Sequence, residues 1–159
     1  LRTRRNSGRS SIVSSSASTQ ESGDRVALDT SVAIDVLAAK VDARLLSSVN
    51  EHLLPSPVVG ELRYGALNSS KSAENLARVE ALVIRCVVLN VTVATAKVYA
   101  ELRLALRVKG RPIPENDLWI AALCVEHQVP LAAVDAHFDA IDDLKRWRLE
   151  SLRSDTDAS

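Results

Sequence analysis

The chain has 159 residues, 47% hydrophobic and only 3% aromatic, which suits one compact domain with a core of Leu, Val, Ala and Ile. No apolar run approaches the roughly 18–20 residues of a membrane-spanning helix, and a formal net charge of zero lacks the basic excess usual for nucleic-acid binding. The charge is uneven, however: residues 1–25 carry five Arg against Glu21 and Asp24, so acids predominate downstream.

Residues 1–25 are rich in Ser and Arg, with Ile12 and Val13 standing alone, and read as a disordered basic tail rather than a secretion signal. The chain holds no Met, even at position 1. This tail is expected to be functionless, an extension upstream of a non-Met start near Val26, or an arm that touches nucleic acid. Residues 26–150 are expected to form the folded unit, and 151–159 a second disordered tail. Within the unit, short apolar runs alternate with helical patterns. Strands are expected at 26–28, 52–54, 86–89 and 131–134, with a weaker one at 147–149. Helices are expected over 31–39, 42–49, 57–67, 72–83, 93–109 and 116–127, with a short one near 137–141. The longest carries a stripe of Val98, Leu102, Ala105 and Val108, with Tyr99 and Leu106 beside it, and Gly110 with Pro112 stops it. Ser56 before Pro57 reads as an N-cap, and so does Asn116. This alternation predicts an α/β fold in three layers, α/β/α, around a mostly parallel sheet of about five strands. Cys86 and Cys124 have no C-x-x-C spacing and lie in apolar segments, so they read as reduced core thiols, in keeping with the cytoplasm.

Four acids sit where surface residues are not expected. In parallel sheets, ligands bind beyond the carboxyl ends of strands, where the strand order reverses. Asp29 follows the first strand and Asp135 the strand at 131–134, so their carboxylates meet if those strands are neighbours. Glu61 lies in "PVVGELRYGAL" among Val58, Val59, Leu62 and Tyr64. Asp117 opens a helix that is otherwise almost wholly apolar through Val125. Each acid has an ordinary explanation: a cap for Asp29, the helix dipole for Asp117, a solvated face for Glu61, a turn for Asp135. Together they would repel one another at one sheet edge, and a hard divalent cation resolves that conflict. Mg²⁺ or Mn²⁺ held there would suit water attack on a phosphodiester. Two other strand–Asp families fit poorly. A dehalogenase-type phosphatase needs a second Asp where Ser31 stands, and a receiver domain needs an acidic pair and a late Lys.

The segments "LDTSVAIDVL", "VVGELRYGAL", "PENDLWIAAL" and "PLAAVDAHFDAI" resemble, in order and spacing, the acidic motifs of PIN-domain ribonucleases, in particular the VapC toxins of bacterial toxin–antitoxin systems. "ENLARVEAL" and "ELRLALRVKGRPIPENDLWIAA" add to the likeness, which covers about residues 26–149. The resemblance implies an Mg²⁺- or Mn²⁺-dependent endoribonuclease whose acidic quartet is Asp29, Glu61, Asp117 and Asp135. It implies a hydroxyl role for Thr30 or Ser31, and Asn116 is grouped with them as a supporting residue. Asp139 is weighed as a sharer of the fourth acid's role against a solvated helix acid. Many relatives carry Thr or Ser two positions before the last acid, where this chain has Ala133, which puts support for Asp135 in question. Arg63, Lys109 and Arg111 are weighed equally as RNA phosphate contacts and as solvated surface charge. His52, His127 and His137 form no ligand pair, and His137 reads as a turn residue near the site. The implied partners are RNA, with transfer RNA the family-based choice, and a VapB-like antitoxin. A second copy of the chain is also expected to bind, through apolar surplus on the helices at 57–67 and 72–83. The alternative is a degenerate PIN fold that binds RNA or a protein without cutting.

Overall fold

The computed structural model describes residues 24–41 and 47–147. The expectations for the tail at 1–23, most of the helix at 42–49, and everything beyond 147 lie outside these residues. Four short strands, β1 (Arg25–Leu28), β2 (Glu51–Pro55), β3 (Val87–Leu89) and β4 (Leu131–Ala132), form one parallel sheet in the order β3-β2-β1-β4. Register is fixed by Ala27 pairing Leu53's strand on one side and Leu131 on the other. Ala27, Leu53 and Leu131 are fully buried. Such near-continuous apolar strands are what a sheet flanked by helices requires.

The helices are α1 (Thr30–Leu37), α2 (Ser56–Leu67), α3 (Ser72–Arg85), α4 (Val93–Val108) and α5 (Glu115–Glu126), followed by a 3₁₀ turn at Ala136–Ala140. α1, α2 and α3 pack together, α4 packs on α5, and α2 and α5 reach β2. Among the described residues the sheet has four strands; of the fifth expected at 147–149 only Trp147 is described, and next to it Arg146 makes a single parallel bridge to Leu131, with Leu131 N–H donating to Lys145 O and Trp147 N–H to Leu131 O, each at 2.9 Å. β4 is only two residues long, so it offers little ladder for a longer partner.

α4 differs from expectation in which face it buries. Thr95, Leu102 and Leu106 are buried, whereas Ala105 is exposed and Val108 is 80% exposed. The inward stripe is set by Thr95, whose hydroxyl donates to Glu126 Oε2 at 2.6 Å and ties the start of α4 to the end of α5. Thr92 and Thr95 form a reciprocal capping box, which satisfies two N–H groups at the helix start. At the other end Gly110 adopts φ +66°, and Arg111 N–H reaches back to Leu106 O at 3.0 Å, a glycine-dependent helix stop.

α5 is apolar nearly all round: Leu118 and the run Ile120 to Cys124 are buried. Both cysteines are free thiols, and burial, reinforced by the charge of Asp29, pushes Cys124 up to about 12. Among the described residues no helix is long and apolar enough to cross a membrane.

Candidate active site

β1 and β4 are neighbours, so the chain's first and last acids of interest arrive at the same end of the sheet. Asp29 leaves β1 with its N–H donating to Ala132 O at 3.0 Å, and its own carbonyl accepts the first helical bond of α1, from Ala33 N–H. Its backbone therefore occupies the cap position, but its side chain makes no capping bond. Instead Ser31 Oγ donates to Asp29 Oδ2 at 2.9 Å, while Oδ1 is buried without a partner. Asp29 is one of two buried polar residues in the described core, at 6% exposure. A buried, half-satisfied carboxylate is costly in a fold that needs only a turn there.

Glu61 is placed by α2, which begins at Ser56, one residue earlier than expected, with Pro55 as cap. Thr30 Oγ1 donates to Glu61 Oε2, and Asn116 Nδ2 donates to Glu61 Oε1 at 3.0 Å. Asn116 is thus not the cap of α5, a position taken by Pro114; it lies inside the first turn and spends its amide on Glu61. The next residue, Asp117, is half-buried at the mouth of the same cleft. Asp135 sits beyond β4, where it caps the 3₁₀ turn by accepting from His137 N–H at 2.9 Å. The turn-forming explanation for Asp135 therefore holds without removing its carboxylate from the cleft.

These residues line one open cleft of about 430 Å³: Asp29, Thr30, Ser31, Glu61, Asp117 and Asp135, with His137 and an apolar rim of Ile34, Val134 and Phe138. The imidazole of His137 lies between two of the acids, with Nε2 2.9 Å from Asp117 Oδ2 and Nδ1 2.7 Å from Asp135 Oδ1. Sequence reasoning gave His137 a turn role. Its bridging position is a matter of side-chain packing, with the ring tilted against Phe138 at 4.6 Å between centroids, and sequence spacing carries no signal for that.

Asp139 is absent from this cleft; it pairs with Arg146 at 2.8 Å. Arg63 is bound to Glu80 on the outer face of α2 and α3. Lys109 is 2.5 Å from Asp142 and donates to Ala140 O, so it clamps the chain after the 3₁₀ turn. Arg111 is exposed and does not line the cleft.

Burial, then the nearby charge of Asp29, holds the carboxyl of Asp117 above the usual carboxylate range; Glu61 and Asp135 add to this and His137 opposes it. An acid whose folded pKa is raised favours the fold when protonated, so its stabilising share is present at low pH and lost as pH rises. Metal-free protein is accordingly expected to lose stability as pH climbs from the ordinary aspartate range through the raised value, and Asp117→Asn to flatten that part of the profile. Urea unfolding across pH reads this directly, and an unchanged slope in the variant would contradict the electrostatic account.

The donor set suits a hard cation. Every cleft acid offers oxygen, one oxygen is buried and orphaned, and among the described residues the basic side chain set against Asp117 and Asp135 is His137. Among the described residues no three such groups are already gathered into a cage. Mg²⁺ commonly takes one or two carboxylates and keeps several waters, so a closed cage is not required.

The family model described as PIN domain matches residues 26–144. The chain belongs to the PIN-domain family. Within it, the chain resembles the VapC group. It is 33% identical over 124 residues to ribonuclease VapC5 of Mycobacterium tuberculosis, spanning 72% of this chain and 86% of that protein. The fold also matches the VapBC2 structure of Rickettsia felis, solved with a promoter DNA fragment. There the TM-score is 0.71 at 26% identity, over 77% of this chain and 97% of the other. A VapBC-5 structure from M. tuberculosis, described as a member of the VapBC family of toxin-antitoxin systems, gives 0.65 at 29% identity over 79% and 99%. In this PIN domain the pairing of β1 with β4 brings together the strand ends that precede Asp29 and Asp135.

Proposed function

We propose that this PIN domain is a metal-dependent endoribonuclease acting as the toxin of a toxin–antitoxin pair in the cytoplasm. The observation that carries the reading is Asp29: a buried carboxylate with an orphaned oxygen, at the sheet edge where three further acids converge. Asp29, Asp117 and Asp135 would hold Mg²⁺ or Mn²⁺, with Glu61 as fourth acid. When bound, the cation supplies Lewis acidity for hydrolysis of an RNA phosphodiester. The protein's own contribution is orientation. Ser31 fixes one oxygen of Asp29, leaving the other buried and without a partner. Thr30 and Asn116 fix both oxygens of Glu61, so it does not swing away when the charge changes. The cleft is open, as an RNA chain requires, and transfer RNA is the substrate class we favour. Arg111, exposed beside α5, is the basic residue best placed to meet a phosphate, since Arg63 and Lys109 are already paired.

The partner reading rests on a second feature. A groove of about 340 Å³ between α1, α2 and α3 is lined by Leu37, Ala38, Leu62, Gly65 and Ala66, and shares Ile34 and Glu61 with the acidic cleft. An antitoxin segment lying there with its apolar side would bring a basic side chain onto the four acids and compete with the cation. Exposed apolar residues outside the groove, Tyr64 at 71%, Leu67 at 61% and Ile84 at 83%, support a homodimer through α2 and α3.

The deciding measurement is cleavage of structured RNA by the purified chain. Activity is expected with Mn²⁺ or Mg²⁺ and none in excess EDTA. Undiminished cleavage in EDTA would sink the metal reading, and no cleavage with either ion would leave the degenerate, non-cutting alternative standing.

A further inference from the structure

Resting on the nuclease reading above, we propose that Arg146 is the positioning residue for Asp135, gripping the backbone at Ala133 and at Asp135 itself from the end of the sheet. The stretch that carries Asp135 has little ladder of its own, because β4 ends at Ala132. Ala133 is buried and offers no polar side chain. Arg146 supplies the missing restraint. One guanidinium nitrogen donates to Ala133 O at 2.8 Å and Asp135 O at 3.2 Å, so a single group grips the backbone on both sides of Val134. The other terminal nitrogen holds Asp139 Oδ1 at 2.8 Å, within the 3₁₀ turn. The plane lies over Phe138, 5.5 Å from the ring centroid, and the side chain is only 24% exposed. Arg146 is itself anchored by its bridge to Leu131 at the sheet edge.

The planar fork of Arg is what makes this grip achievable: it reaches two carbonyls and a carboxylate at once, whereas Lys offers a single point charge. The grip fixes the backbone at both ends of the segment bearing Asp135 and His137. It therefore sets how far the Asp135 carboxylate stands from Asp117 across the cleft. The residue acts through Asp135 and touches neither RNA nor the cation.

The test compares full-length wild type, Arg146→Gln, Arg146→Lys and Asp139→Asn by Mn²⁺ titration, read by the electron paramagnetic resonance of free ion, alongside thermal unfolding and RNA cleavage. Loss of an outer-shell partner of a metal ligand typically costs about 10–100-fold in affinity. Arg146→Gln is expected to weaken Mn²⁺ binding and lower kcat by a factor in that range, with KM for RNA unchanged. Arg146→Lys should recover part of the loss, and Asp139→Asn, which spares the carbonyl contacts, should stay within about threefold of wild type. If Arg146→Gln does not fold, Arg146→Lys decides on the same readings. A folded variant with a lowered melting temperature but wild-type Mn²⁺ affinity would reduce Arg146 to a stabilising role and overturn the proposal. Wild type that binds no Mn²⁺ would overturn the metal reading itself, a different and separable failure.

Discussion

Asp29→Asn is expected to lower RNA cleavage by more than the roughly 100-fold at the upper end of outer-shell losses, while raising the stability of the metal-free protein. The two effects have one cause. Asp29 is 6% exposed with one oxygen unpartnered, and its charge helps hold Asp117 above the usual carboxylate range. Asn keeps the shape and can still accept from Ser31, but removes the repulsion. The gain comes from the relieved charge repulsion alone, because the position still holds an unpartnered amide atom. Paired measurement of cleavage and urea unfolding checks it. Loss of both activity and stability would mean that Asp29 is a structural residue.

The second large effect concerns the groove beside the site. Expression of wild type alone is expected to arrest bacterial growth, and co-expression of the cognate antitoxin to relieve the arrest. Gly65→Trp should remain toxic yet no longer be relieved. Gly65 lines the groove, and a Cβ built there meets nothing within 4 Å, so a side chain can start from this position, and its bulk would take up groove space proposed for the partner. Helix propensity favours the change as well, since Gly is the weaker helix former. Relief equal to wild type would place the antitoxin elsewhere. A chain harmless at high expression that still cuts RNA in vitro would end the toxin assignment and spare the nuclease.

Much of this was legible in the sequence because it depends on backbone placement. An apolar strand running straight into Asp29, and another ending shortly before Asp135, put two carboxylates at one sheet edge once β1 and β4 pair. Asp117 was legible for a related reason, since a helix buried on most sides brings its first turn close to the sheet edge. The less visible features depend on where side chains turn after packing. His137 between Asp117 and Asp135, Asn116 on Glu61 rather than on a helix end, and Arg146 across the last loop all join residues by rotamer rather than by spacing. The inward face of α4 was misjudged likewise, because Thr95 gains burial through a bond to Glu126 that no apolar periodicity reveals.

The strand order also governs when a newly made chain can assemble its acidic cleft. Asp29 is synthesised early, but the strand that completes its side of the sheet, β4, is among the last described elements to be made, and Arg146 follows later still. A nascent chain halted between residues 89 and 131 contains the segments of β1, β2 and β3 yet has neither Asp135 nor the rung at Ala132 that holds Asp29's backbone. On the proposed nuclease reading, synthesis thus runs ahead of assembly: the four acids share one cleft only after Asp135 has been made and β4 has paired with β1.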